Sequence, residues 1–354
     1  MKAWIIVILL GAGTWAAGLS AVLGGCQAVT PTQPVQERYS FQRMQMGVRS
    51  EVTLYAPSQA AARDAAALAF DEINRLEEIF SDYRPRSEVS RLCDLAREGP
   101  MTESVPVSED LARILRASSE ISRATGGDFD VTVGAATKLW RETRRAGKLP
   151  EASVLEAATA TVGWESVQVD EEGKVRLNKR GTRIDFGAIA KGYAAQRAVE
   201  VLTRAGFPTC MVALAGDVAV GDPPPGEAGW IVAVLTGREG SGGGERSAPE
   251  EIRLRNAAVS TSGDASQWVE IEGRRFAHIL DPKTGLGSAR IRAATVIARD
   301  RGGLTGGMRA DALSTALFLT EESPEAFARR FGVAVIVVDA SVVRRFDPLG
   351  LIER

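Results

Sequence analysis

One histidine, His278, and three cysteines serve the whole 354-residue chain. So small a stock excludes zinc and other soft-metal centres, which need several Cys or His ligands at close spacing. It also excludes a disulfide framework. Neither sign of charge is in excess, since 43 Lys plus Arg stand against 45 Asp plus Glu. With no global field to gather phosphates, nucleic acid is set aside as a partner. No internal repeat is visible. What is present is 45% hydrophobic and 25% charged residues, the composition of a soluble globular protein with a sizeable core, in one large domain or two.

The start of the chain stands apart. Lys2 precedes an Ala/Ile/Leu/Val/Gly run that stops at Leu23-Gly24-Gly25-Cys26. Residues 1–25 are therefore expected to be an export signal. A membrane helix is the alternative that the length would allow, although three internal glycines weaken the run. Small residues directly before a cysteine resemble the lipobox of bacterial lipoproteins. That likeness implies lipidation of Cys26, which becomes the first residue of the mature chain, held in a membrane by several acyl chains. The following "QAVTPTQPVQER" is polar and contains proline, so residues 26–38 are expected to form the lipidated cysteine and a tether ahead of a domain over residues 39–354. Gln27 lacks the Asp that would favour inner-membrane retention, and the domain is expected to face the periplasm or the cell exterior. Cys93 and Cys210 remain as core thiols or as a single bridge.

Along the domain, residues 50–56 alternate like a half-buried strand, and residues 58–80 carry alanine and leucine at helical spacing behind a Ser58 cap. A second helix is expected over residues 108–127, capped by Ser108 and ended by a glycine pair. Residues 175–206 read as strand, turn, strand ending at Asp185, a glycine-containing bend and a helix. Strands follow over "TCMVALAGDVAVG" and "WIVAVL", then a helix over "RADALSTALFLT" and a strand over "GVAVIVVDA". The glycine-rich stretch 236–251 lacks the lysine and following Ser/Thr of a Walker loop and reads as a solvated insertion. Strands and helices mix without regular alternation, which predicts an α+β fold of mixed sheets packed with helices.

Four segments hold residues suited to chemistry. In "IDFGAIAKGY", Asp185 ends a strand, Gly187 permits close backbone approach and Lys191 falls near a helix start, a place for phosphate oxygens or an ordinary capped junction. In "DALST", Asp311 and Thr315 are spaced i, i+4 on one helix face, where they could ligate a hard cation such as Mg2+ or serve as a cap and a helix filler. "GGDFDVTVG" reads as a turn with carboxylates Asp128 and Asp130 entering a strand. In "FAHILDPKTG", His278 sits where a strand meets a turn, either as a packed residue or at an element edge where sites are built.

Taken in order, "FSDYRPRSEVSRL", "GGDFDVTVG", "IDFGAIAKGYA", "STSGD", "HILDPKTG" and "ADALSTAL" resemble the ApbE-type flavin transferases, the FAD:protein FMN transferases, over nearly the whole expected domain. The resemblance implies a single large catalytic domain of T-fold-like α+β architecture with an FAD cleft. It implies that FAD is split, that its FMN half passes to a Ser or Thr hydroxyl of an acceptor flavoprotein, and that AMP leaves. By the same resemblance Asp311, Thr315 and the Ala188 carbonyl bind Mg2+, with Mn2+ fitting the same oxygens. Met46, Tyr83, the stretch of Asp128, Phe129 and Asp130, and then Asp185, Lys191 and Ile279 lie along the FAD. His278, whose residue type ordinarily titrates near neutrality, is the expected general base for the acceptor hydroxyl. Lipidated members are common in that family, in agreement with the reading of Cys26.

This chain departs from the family pattern at Asp128, at Ala215 where the family has glycine, at Cys93 where it has Asn, and at Val48 where it has Thr. Asp128 adds negative charge near a site meant for a pyrophosphate. An FAD pyrophosphatase, with water replacing the acceptor, and a lipid-anchored FAD-binding protein are the competing readings.

Overall fold

The computed structural model of the chain describes residues 36–234, 250–263, 268–290, 292–339 and 342–353. The expectations for residues 1–25, for Cys26 and the tether up to residue 35, for most of the 236–251 insertion and for Asp264 lie outside these residues.

The first hairpin, β1 (Glu37–Gln45) and β2 (Val48–Ala56), turns on Met46 and Gly47, both with positive φ. A two-residue turn of that hand matches the twist of the flanking strands. Glu37 already pairs with Ala56, so the sheet begins inside the expected tether. Five helices follow: α1 (Gln59–Phe80), α2 (Glu88–Leu95), α3 (Glu109–Ala124), α4 (Gly134–Ala146) and α5 (Ala152–Thr159). A short hairpin, β3 (Val167–Val169) with β4 (Val175–Leu177), leads to α6 (Ala190–Arg204). The strands β5 (Cys210–Leu214), β6 (Asp217–Val220), β7 (Trp230–Val234), β8 (Glu250–Leu254), β9 (Ala257–Gly263), β10 (Trp268–Ile271), β11 (Arg274–Ala277) and β12 (Arg292–Ala298) come next. Two helices, α7 (Gly306–Leu319) and α8 (Pro324–Phe331), and the strands β13 (Ala334–Asp339) and β14 (Val342–Phe346) complete the described residues.

Eight strands form one sheet in the order β1-β2-β5-β6-β9-β12-β13-β14, antiparallel at every pairing. One face carries α1, α6 and α7, whose Ile73, Leu76, Tyr193 and Leu317 share a core with Val52 and Val212 of the strands. The other face is covered by the hairpin of β7 and β8, where Trp230 and Leu254 pack on Val259 and Ile336. A sheet apolar on both faces needs both covers, and the expected α+β class is the result.

Helix α1 starts where its signal lies, with the Ser58 side chain accepting from the Ala61 N–H. α7 is buried almost all round, the pattern of a core helix, and yet it carries Asp311. It crosses α6 at a pair of glycines. A Cβ on Gly192 would strike the Gly307 carbonyl and the Asp311 side chain, and one on Gly307 would strike the Gly192 carbonyl.

Three local expectations change. The "GGDFDVTVG" segment leads into helix α4 rather than a strand, because Gly134 packs against the Arg183 backbone and the chain turns there. Residues before Asp185 make only an isolated bridge, Val133 with Arg183, because no neighbouring strand lies beside them to build a ladder. Strand β11 ends at Ala277, so His278 stands just past it. Cys93 and Cys210 are buried free thiols, which settles the alternative of a bridge. Burial pushes them up to about 11 and about 12.

The glycine crossing yields a direct expectation. Gly307→Ala should cost about 2 to 3 kcal/mol of stability through overpacking, read as a lowered urea midpoint with unchanged slope. An unchanged midpoint would show that the helices have room to part.

Candidate active site

Between α4, α6, α7 and the sheet lies a cleft of about 570 Å³, large enough for a dinucleotide-sized ligand in part. At its floor three charged groups meet. Lys191, in the first turn of α6, places Nζ 2.9 Å from Asp217 Oδ2 and 3.7 Å from Asp311 Oδ2. Asp311 Oδ2 also accepts the Gly192 N–H at 3.0 Å. Two carboxylates thus share one ammonium. Burial first, and then the charge of Asp217, push the Asp311 carboxyl up to about 7, against the pull of Lys191. Burial pulls Lys191 down, but the two carboxylates more than offset it and hold its pKa above the ordinary lysine value.

The helix start expected to cradle phosphate is otherwise occupied. The Ala190 N–H donates to the Phe186 carbonyl and the Gly192 N–H to Asp311, so these donors are spent within the protein. A hydroxyl chain continues from the acidic pair. Ser260 donates to Asp217 Oδ1 at 2.6 Å, and Ser262 Oγ lies 2.8 Å from Ser314 Oγ and 3.1 Å from Thr315 Oγ1. Neighbouring strand and helix therefore fix the Thr315 hydroxyl one helical turn from Asp311. Ala188 lines the same cleft.

His278 lines the same cleft together with Ile279. Its backbone is pinned on both sides, since the Ala277 N–H donates to the Ser288 carbonyl and the Ser288 N–H to the Ile279 carbonyl. Trp140 Nε1 donates to the Ala277 carbonyl at 3.2 Å. The backbone that carries the imidazole is thereby fixed against the Ser288 segment and α4.

The remaining expected residues fall as follows. Asp185 accepts from the Gly187 N–H at 2.7 Å and pairs with Arg141 at 2.9 Å. Arg141 also pairs with Asp82 at 2.5 Å and lies over the Tyr83 ring, 4.3 Å from its centroid. Phe129 is buried, and the Asp130 carboxylate accepts from Thr132 and from the Trp164 N–H, so it ties its own loop together. Asp128 pairs with Lys283 at 2.6 Å, which offsets the negative charge it brings. Met46 occupies the hairpin turn, its N–H donating to Glu77, and the cleft lining from this hairpin is Val48.

Asp217 and Arg141 were not singled out from the sequence. Their partners lie far along the chain, and Arg141 sits on a helix without a capping signal. Ala215, where a glycine was the family expectation, takes φ 53° in the turn between β5 and β6 that lines the cleft. That conformation strains any residue with a Cβ. Ala215→Gly should stabilise the fold by roughly 0.5 to 1 kcal/mol, the relieved strain less the added freedom of the unfolded chain, measurable by chemical denaturation.

The acidic pair gives a second expectation. Lys191→Met leaves Asp217 and Asp311 facing each other without a cation and should cost about 3 kcal/mol at alkaline pH. Without the lysine the Asp311 carboxyl rises further above its wild-type value of about 7, so the two proteins differ in its charge only above that pH, and the cost should shrink as pH falls towards 7 and level off below it. A loss independent of pH would show that Lys191 matters through packing alone.

Comparison with known proteins agrees with this geometry. The chain is 27% identical over 334 residues to an FAD:protein FMN transferase of Haemophilus influenzae, covering 92% of each. An ApbE protein of Thermotoga maritima superposes with a TM-score of 0.76 at 27% identity, over 90% of this chain and 100% of that one. The flavinyl transferase ApbE of Pseudomonas stutzeri, in its apo form, superposes with a TM-score of 0.72 at 26% identity, over 88% and 95%. Residues 46–337, which include every cleft residue named above, match the ApbE family, and this protein is a member of it.

Proposed function

We propose that this protein transfers the FMN half of FAD to a Ser or Thr hydroxyl of an acceptor protein and releases AMP. The observation that carries the reading is the convergence in one cleft of the only imidazole of the chain with Lys191, Asp311, Thr315 and Ala188. The acceptor hydroxyl forms a new O–P bond at the FMN phosphorus as the pyrophosphate P–O bond to AMP breaks. His278 takes the hydroxyl proton, since a neutral hydroxyl is a poor nucleophile until a base near neutrality removes it. Lys191, held by Asp217, brings a fixed positive charge to the cleft where the phosphates are to lie. Tyr83 and Ile279 offer apolar surface for the ring systems.

The donor set at the floor suits a hard cation. It consists of a carboxylate, a hydroxyl and a carbonyl, oxygens alone, and among the described residues no group of three or more His, Cys, Asp or Glu is placed to hold a metal ion. Two carboxylates against one ammonium leave a negative charge that such an ion would match. Asp311, Thr315 and the Ala188 carbonyl would hold Mg2+ or Mn2+, which when bound supplies positive charge against the pyrophosphate oxygens. The proposal extends to the start of the chain, where the run ending in Leu23-Gly24-Gly25-Cys26 supports a lipid anchor that holds the domain on the exported side of a membrane.

The test uses residues 27–354, FAD, Mg2+ and a bait protein with an exposed acceptor hydroxyl, following AMP release and bait mass. His278→Ala should lower AMP release and bait modification by about 10² to 10⁴ while FAD still binds. AMP with free FMN and unmodified bait would indicate a pyrophosphatase. Bound FAD without AMP in the wild type would indicate a binding protein.

A further inference from the structure

Beside the cleft lies a second, more open depression of about 410 Å³, bounded by Tyr83, Arg141, Arg144, Arg145, Trp268 and Val269. It shares Tyr83, Arg141 and Arg144 with the cleft, so a ligand lying in it reaches the cleft edge. Its make-up is unusual for a solvated surface. Tyr83 is 72% exposed and Trp268 44%. Each ring carries a guanidinium, Arg141 over Tyr83 and Arg275 over Trp268, both 4.3 Å from the centroid. Exposed Trp, Tyr and Arg held in place by such stacking are the residue types that dominate protein-protein binding energy.

The charge of this ledge is positive where it is uncommitted. Arg141 is engaged by Asp82 and Asp185, and Glu270 stands opposite Arg275 in the register of β10 and β11. Arg144 and Arg145 form no ion pair among the described residues. Arg145 Nε donates to the Arg141 carbonyl at 3.2 Å, which ties its stem to α4. Glu142 is the exposed carboxylate nearest to them in sequence.

We propose that this ledge is the docking surface for the acceptor polypeptide, and that it receives an acidic, extended segment whose carboxylates meet Arg144 and Arg145 and whose side chains pack on Trp268. The inference rests on the transferase reading. A macromolecular acceptor has to deliver its hydroxyl into the cleft from outside, across the rim that the ledge shares with it. The ledge is the adjoining surface that combines exposed aromatic area with unneutralised positive charge. Docking of this kind raises encounter rates as well as affinity, and salt weakens it.

The experiment uses the full chain saturated with FAD and two fluorescent peptides with a central Thr, one preceded by several Asp residues and the other by Asn in their place. The wild type should bind the Asp peptide about tenfold more tightly. Arg145→Glu should reduce that preference to about twofold or less and leave the FAD dissociation constant unchanged. Trp268→Ala should weaken both peptides alike. Equal binding of the two peptides by the wild type would overturn the proposal. So would a loss of FAD affinity in Arg145→Glu matching its loss of peptide affinity, since the ledge would then belong to the nucleotide site. Peptide preference without FMN transfer to any bait would sink the transferase reading and leave the acidic-segment surface standing. Transfer without preference would do the reverse.

Discussion

The close crossing of α6 and α7 at Gly192 and Gly307 is the constraint on which the cleft depends. Side chains there would hold the helices apart by more than the hydrogen bond between the Gly192 N–H and Asp311 can span. With the helices in contact, Asp311 is carried to the start of α6 and into the reach of Lys191, and Thr315 is carried one turn along toward Ser262. The sheet contributes the other half of the floor through Asp217 at the start of β6 and Ser260 and Ser262 on β9. A cluster of oxygen groups and a charged lysine are thus assembled from three elements, and the approach of two of them requires the absence of two Cβ atoms.

Burial then sets the chemistry. Taking two carboxylates and one ammonium out of water is costly unless each is paired, and here the pairing is incomplete by one charge. The raised pKa of Asp311 is the sign of that imbalance. A stability-driven design would neutralise or remove the second carboxylate. On the proposed reading the second carboxylate is kept because the missing positive charge would arrive with a bound cation. The rigid hydroxyl chain from Ser260 to Thr315 has the same logic, because it holds an oxygen donor in place before anything binds.

How much of this was legible in the sequence depended on whether the signal was local. Helix α1 could be read because Ser58 caps it and alanine and leucine repeat at its own period. Asp311 and Thr315 could be paired because four residues apart on a helix means one face. Helix α4 could not be read, since Val133 at its start offers no side-chain cap and Gly134 looks like a turn when its real reason is the Arg183 backbone packed against it. With α4 went Arg141, whose partners Asp82 and Asp185 are 59 and 44 residues away. Asp217 was hidden in the same way, being a partner of Lys191 only after the sheet and helix have met. The phosphate cradle expected at the start of α6 loses two of its donors, the Gly192 N–H to Asp311 through long-range packing and the Ala190 N–H to Phe186 in the chain's own turn.

The cleft then presents an electrostatic problem, since an anionic dinucleotide is to enter a site lined by several carboxylates. Four of the five have a nearby cation, with Asp128 against Lys283, Asp185 against Arg141, which Asp82 also engages, and Asp217 and Asp311 against Lys191, whereas Asp130 is held by Thr132 and the Trp164 N–H. The pairings differ in burial, and that decides their effect. Lys283 is 62% exposed, so solvent screens its pair with Asp128 and little field from it reaches the floor. Arg141 is only 25% exposed, and it is tied to both carboxylates and stacked on Tyr83, which leaves it fixed in a low-dielectric wall. Fixed cations at the wall and floor meet an entering phosphate without having to move, whereas at the floor the carboxylates of Asp217 and Asp311 outnumber the one ammonium between them. Positive and negative groups are thus fixed within a few ångströms of each other in one cleft, so an entering anion meets a preorganised field rather than a uniform charge.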